Sequence, residues 1–268
     1  MEKKGAVERM GYSPQDRLRQ LCKEQGLEGA LHAGDIGEPL DRARRRAAVM
    51  VARRQRNLET IIHKALVQSD DGTAVDEIDN DWFYHFSRLA ENTSSSRMQG
   101  LWATILLREL QQAGSFSRRS LETLEKLSVK ETQTFAKAVN MALKVGQEYR
   151  LVIGFYRRHT LGGSQTRLLP LGQFGLHYSA LASLMDIGLL QTSELVSADL
   201  RQSPVAFSMG GRQGTLTGHR RRVHLTYYRF STIGDELARL MVAEPDSKFE
   251  NEFTRLAEGE LTLSWQSG

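Results

Sequence analysis

The chain has 268 residues, 40% hydrophobic and 25% charged, a composition that excludes a disordered polymer and leaves room for a substantial core. A formal charge of +4 comes with 27 arginines against 9 lysines, a bias toward planar, bidentate binding of phosphate or carboxylate over plain solubility. The lone Cys22 excludes a disulfide framework and a cysteine-based zinc site within one chain. The polar N-terminus has no apolar signal core, and no apolar run approaches the ~20 residues that span a bilayer, so a cytoplasmic location is expected.

In chain order, residues 1–39 read as a poorly structured lead-in, with a short helix over 16–24 that sets Leu18 and Leu21 on one side. Residues 40–68 carry a helical pattern, with Ala47, Val51, Leu58, Ile61 and Ala65 recurring at three and four. Around that stripe stand Arg42, Arg44, Arg45, Arg46, Arg53 and Arg56, with no acid over 42–58. A connection over 69–81 holds six acids and is placed to neutralise part of the arginine helix. Two more helices are predicted over 82–90 and 97–112. Gly114-Ser115-Phe116-Ser117 stops the second, and Ser117 caps the next. Ser128-Val129-Lys130-Glu131 has the form of a capping box, opening a helix that carries Phe135 and Val139. Residues 40–147 are therefore expected to form a wholly helical bundle, with Trp102, Leu106 or Leu110, Phe135 and Val139 in one core.

Beyond Tyr149 the texture changes. Leu151-Val152-Ile153 is β-prone, and a helix over 174–187 ends at Gly188-Leu189, which suits a left-handed glycine cap. Strands are predicted over 204–209 and 222–230, with 210–214 as a hairpin tip, followed by a helix from Thr232 and an acidic tail over 244–268. The expected fold is mainly α: an N-terminal helical bundle over 40–147, then a small α+β winged-helix-like module over 148–243.

Two resemblances rest on particular residues. Arg53-Arg54-Gln55-Arg56-Asn57-Leu58-Glu59, Asp81-Trp82-Phe83, Met98-Gln99-Gly100-Leu101-Trp102-Ala103, Leu107-Arg108-Glu109-Leu110 and Gly114-Ser115-Phe116-Ser117-Arg118-Arg119-Ser120-Leu121 occur in an order similar to that of an uncharacterised bacterial family, domain of unknown function 2806. The Leu-Trp-Ala helix also resembles abortive-infection proteins. The first resemblance brings no catalytic residues with it. The second implies a protein-interaction or effector role in phage defence. Separately, Ile187-Gly188-Leu189-Leu190, a hairpin, and Phe230-Ser231-Thr232-Ile233-Gly234-Asp235-Glu236-Leu237 look like the closing half of bacterial winged-helix domains, which bind DNA, RNA or proteins.

The strongest functional signal is the basic wing. Residues 200–234 contain no acid but hold Arg201, Arg212, Arg220, Arg221, Arg222 and Arg229, with His219 and His224. Crowded like charges call for an anionic partner, so Arg212, His219, Arg220, Arg221, Arg222 and Arg229, with Arg157 and Arg158, are candidate nucleic-acid contacts. Arg45, Arg46 and Arg53 extend that candidate surface. The competing readings are a hairpin whose arginines pair with the acidic tail near 250–260, or a protein or membrane-surface partner. The acids of 69–81 lack the spacing of a calcium loop. The histidines form no ligand pattern, and no phosphate loop or nucleophile elbow is present, so neither metal nor organic cofactor is expected. His159, His177, His219 and His224 are the first histidines to suspect if a metal were found. His85 stands near Asp81 as a possible acid–base pair. The leading expectation is non-catalytic binding of DNA or RNA.

Overall fold

Several helix starts in this chain are set by caps that neighbouring residues supply. The structure, a computed structural model, describes residues 13–31, 37–69, 75–158, 163–219, 222–242 and 244–266. Helix α1 (Pro14–Glu24) begins where the Ser13 hydroxyl accepts the Asp16 N–H and proline takes the first helical position. After a 3-10 turn (Glu28–Leu31) come α2 (Pro39–Gln68), α3 (Asn80–Ala90) and α4 (Ser96–Gln111). Ser117 caps α5 (Arg118–Lys126), and the reciprocal Ser128–Glu131 capping box opens α6 (Val129–Met141).

The chain divides into two compact units, each assembled from separate stretches: Met1–Ser69 with Ala90–Ala103, and Asp70–Leu89 with Thr104–Gly268. In the first unit, the buried Asn57 amide donates to the Glu91 carbonyl at 2.9 Å and to the Ser94 hydroxyl at 3.2 Å. The Gln99 amide donates to the Thr93 carbonyl, and the fully buried Trp102 donates its indole N–H to the Thr93 hydroxyl at 3.0 Å. Only Asn57, Ile61 and Ala65 of α2 are buried. The predicted apolar stripe therefore divides: Ile61 and Ala65 are covered, whereas Ala47 and Val51 are exposed.

The second unit is built on one antiparallel sheet of eight strands: β1 (Leu143–Val145), β2 (Glu148–Arg158), β3 (Ser164–Leu168), β4 (Leu190–Val196), β5 (Val205–Met209), β6 (Arg212–Gly218), β7 (Val223–Phe230) and β8 (Leu261–Trp265). Their order is β4-β7-β2-β1-β5-β6-β8, with β3 pairing β2 off that path. Helices α5, α6, α7 (Tyr178–Asp186), α8 (Thr232–Ala238) and α9 (Ser247–Glu258) belong to this unit, with α3 up to Leu89 and α4 from Thr104. Rings fill the core, with Phe135 and Tyr149 each within 5.7 Å of Phe230, and Phe253 against Phe155 and Phe207.

This sheet overturns the expected fold class. The protein is α+β, and the C-terminal half is a broad sheet in place of a small winged-helix module. The hairpin is where the two part. Gly210 and Gly211 both take positive φ, the conformation of a type I′ two-residue turn, so Arg212 enters β6 directly opposite Met209. The residues expected to form a loop are a strand, and β5 pairs with β6 instead of β7. The acidic tail is also structural: α9 packs under the sheet, and β8 extends it along β6. The wholly helical expectation for 40–147 fails at β1, where Ala142 leaves the helix in extended backbone and Gly146, at φ 62°, turns the chain back into β2.

Other local signals match their expectations. Gly188, at φ 84°, ends α7 in the left-handed region, with the Leu189 N–H donating to the Leu184 carbonyl. Val223, Leu225 and Tyr227 are buried along β7.

One buried carboxyl joins α8 to β2. Asp235 accepts the Tyr149 N–H at 2.8 Å, and burial pushes its pKa up to about 6 against the opposing pull of that bond and of Arg229. A folded value above the unfolded value of about 4 means that protonation favours folding. The contribution is present below about pH 4 and is lost as pH rises through about 6. Asp235→Asn is therefore expected to match the parent in melting temperature at low pH and to exceed it at pH near 7. Calorimetry at both pH values checks this, and a less stable variant at neutral pH counts against it.

Candidate anion-binding site

The wing arginines meet carboxylates that are distant in sequence. Arg212, at the start of β6, lies 4.6 Å from the Trp265 ring centroid and pairs at 2.8 Å with the buried Glu250 of α9. Arg229 of β7 pairs at 2.7 Å with Glu148. Arg157 of β2 meets Glu260 at 3.2 Å and donates to Gln165 at 2.7 Å. Arg201 grips Asp199 at 2.6 Å, and these hydrogen bonds hold the Asp199 carboxyl down at about 2. The alternative of pairing with the acidic tail thus describes Arg212 and Arg157. His219 contacts the Thr262 hydroxyl, and Arg222 is exposed. Arg220, Arg221, His159 and the side chain of Arg158 lie outside the described residues.

Three of the acids over 75–81 meet partners within the second unit. Asp79 and Asp81 flank Arg118 at 3.6 and 3.8 Å, and Asp76 accepts the Ala113 N–H. Asp70 and Asp71 lie outside the described residues. His85 faces Glu122 at 3.2 Å in place of Asp81. His224 contacts the Ser197 carbonyl, and among the described residues no three metal-ligating side chains converge. Nor is any described helix long and apolar enough to cross a membrane.

Several cations that meet no carboxylate among the described residues stand on α2, in the first unit. Arg42, Arg45, Val49, Arg53 and Arg56 recur at three- and four-residue spacing and so share one side of the helix. Arg53 donates to Gln25 at 3.1 Å, and Arg42 to the Gly37 carbonyl at 3.0 Å. Arg44 meets Asp41 at 3.3 Å, and Arg54 meets Glu91 at 3.7 Å. Arg45, Arg46 and Arg56 are exposed and meet no carboxylate among the described residues.

Opposite this side runs the chain from α1 into the 3-10 turn. Gly26, at φ 63°, brings its backbone so close to α2 that a Cβ there would lie 3.2 Å from the Arg46 Cα. The resulting crevice, about 500 Å³, is lined by Lys23, Gly26, Glu28, Arg42, Arg45 and Arg46 among others. An adjoining hollow of about 300 Å³ adds Leu27, Ala30 and Ala43. Reading residues 1–39 as a loose lead-in concealed Lys23 and this wall. The usable signals were Ser13-Pro14 as a helix start and Gly26 as its stop.

The motifs behind the family resemblance have structural work. Buried Glu109 accepts the N–H groups of Gly114 and Phe116, at 2.6 and 3.0 Å, and so shapes the Gly-Ser-Phe-Ser turn. Trp82 donates its indole N–H to the Phe116 carbonyl at 2.7 Å, while Glu236 accepts from the Ser117 N–H and the Ser120 hydroxyl. A family described as "Protein of unknown function (DUF2806)" matches residues 41–254. The chain belongs to the DUF2806 family. The DUF2806 match starts within the first turn of α2 and ends in α9, so it includes the arginine side of α2 and leaves out Lys23 and Gly26. No curated protein and no solved structure matches the chain.

Proposed function

We propose that this DUF2806 protein binds nucleic acid without catalysis, using the arginine side of α2 as its main contact. The observation that carries the reading is the contrast in neutralisation. Arg157, Arg201, Arg212 and Arg229 each meet a carboxylate, whereas Arg45, Arg46 and Arg56 meet none among the described residues. Like charges held on a rigid helix repel one another, and an anionic partner relieves that repulsion. From residue 42 to 56 the helix rises about 21 Å, on the order of six nucleotide steps along one strand of a duplex. The exposed Arg222, beside β7, is a second candidate contact.

The test is fluorescence anisotropy with duplex DNA and with structured RNA over a range of salt concentrations. Each phosphate neutralised contributes a slope of about −0.9 in log affinity against log salt on duplex DNA. Replacing Arg45, Arg46 and Arg56 together by alanine is expected to weaken binding on every sequence and to flatten the slope by nearly three units. Alanine is the strongest helix former, so the helical circular dichroism should persist. Unchanged affinity and slope in the triple variant would remove α2 from the reading.

A further inference from the structure

We infer that the crevice between the chain after α1 and the arginine side of α2 is a binding site for a phosphate monoester carried on a compact, partly apolar group, as in a mononucleotide or the phosphorylated end of a nucleic acid. The inference deepens the nucleic-acid reading, because it assigns part of the same arginine side a ligand of defined size.

Among the described residues, four cations, Lys23, Arg42, Arg45 and Arg46, line this crevice against one carboxylate, that of Glu28. Among the described residues, neither Arg45 nor Arg46 makes a hydrogen bond or ion pair with another side chain, and Arg42 donates to the Gly37 carbonyl. A phosphate monoester carries about −1.5 to −2 charge near neutral pH and offers three acceptor oxygens, whereas each phosphodiester carries one charge. Converging cations from two chain segments suit the more charged group. Guanidinium forks meet phosphate oxygens two at a time, and Lys23 supplies a point charge from the opposite wall.

The shape is built for the rest of such a ligand. At about 500 Å³, the crevice lies in the range of small-molecule pockets. Glycines 26 and 29 keep side chains off one wall, and the adjoining hollow offers the apolar surfaces of Leu27, Ala30 and Ala43. Gly26 is required twice, by its positive φ and by its approach to Arg46. A phosphate held by the cations would thus leave a ring or sugar against apolar carbon.

Isothermal titration calorimetry on the full chain, at low salt, tests this with adenosine monophosphate, adenosine and sulfate. A hexanucleotide with and without a 5′-phosphate is titrated alongside them. Adenosine monophosphate is expected to bind, and adenosine and sulfate to bind at least tenfold more weakly. Lys23→Ala and Arg42→Ala are each expected to weaken the monophosphate about tenfold, the scale of one charge-assisted hydrogen bond. Arg56→Ala should leave it unchanged, because Arg56 does not line the crevice. Gly26→Val should abolish binding, and if that variant misfolds, the two charge variants still decide. The 5′-phosphorylated hexamer binding more tightly than the monophosphate assigns the ligand to nucleic-acid ends, and the reverse assigns it to free nucleotides. Either result supports the site. The site is overturned if the monophosphate gives no heat and the two hexamers bind equally, or if Lys23→Ala changes nothing. Duplex binding that still weakens in Arg56→Ala would then show that the broader reading survives the loss of this one.

Discussion

Gly234→Ala is expected to destabilise the sheet unit by about 1–2 kcal/mol, even though alanine is the better helix former. In an unobstructed helix the exchange favours alanine by about 1 kcal/mol. At Gly234, in the first turn of α8, a Cβ would lie 2.1 Å from the Leu189 carbonyl oxygen and 3.2 Å from the Phe230 Cβ. No rotamer change relieves a clash with backbone. That carbonyl is itself held, since it accepts the Ser231 N–H while Leu190 pairs with Phe230 in the sheet. Overpacking of this kind costs about 1–3 kcal/mol and sometimes more, which outweighs the propensity gain. Gly100→Ala is the matched control: it lies inside α4 with nothing within 4 Å of the added Cβ, and is expected to hold or raise stability. Urea denaturation of both variants gives the comparison. Equal stability of Gly234→Ala and the parent would show that the turn is not as tight as described.

Glu260→Ala is expected to cost about 3 kcal/mol, the scale of breaking a buried ion pair from one side. Its side chain is 4% exposed and meets Arg157 at 3.2 Å and Arg167 at 3.1 Å, tying the turn between α9 and β8 to strands β2 and β3. Removing the carboxylate leaves Arg157, itself 17% exposed, with the Gln165 amide oxygen as its remaining side-chain partner among the described residues. Arg157→Ala combined with Glu260→Ala should lose less than the two single losses added, because no charge is then stranded. The measurement also decides what Arg157 is for. If it served nucleic acid in place of Glu260, Glu260→Ala would keep its stability and bind polyanions more tightly.

These two positions also mark where sequence reasoning stops. Gly234 stands in a Thr-x-Gly-x-x-Leu pattern that signals a turn into a helix, and α8 does begin there, with Ser231 accepting the Gly234 N–H. The pattern says nothing of Leu189, whose carbonyl makes glycine necessary. The Gly-Ser-Phe-Ser turn is similar: its position after a helix is readable, while its dependence on Glu109, Trp82 and Glu236 requires three chain segments to meet.

By itself the sequence determined what is settled within a few residues. The extents of α2, α3 and α4, the Ser128 capping box, the left-handed Gly188 and the alternation of β7 all follow from backbone hydrogen bonding and side-chain periodicity over one or two turns. The acid-free arginine run of 42–58 is equally local and was legible at once. Only the tertiary structure decided which arginines are spare. Arg212 and Glu250 are 38 positions apart, and Arg157 and Glu260 are 103 apart, so charge counted along the chain cannot show that they neutralise each other. Strand pairing is non-local in the same way: β6 needs β8 from the far end of the chain, and that pairing turned an apparent loop and tail into the edge of a sheet. Local chemistry determines helices and turns, whereas a sheet and its ion pairs exist only once distant segments have met.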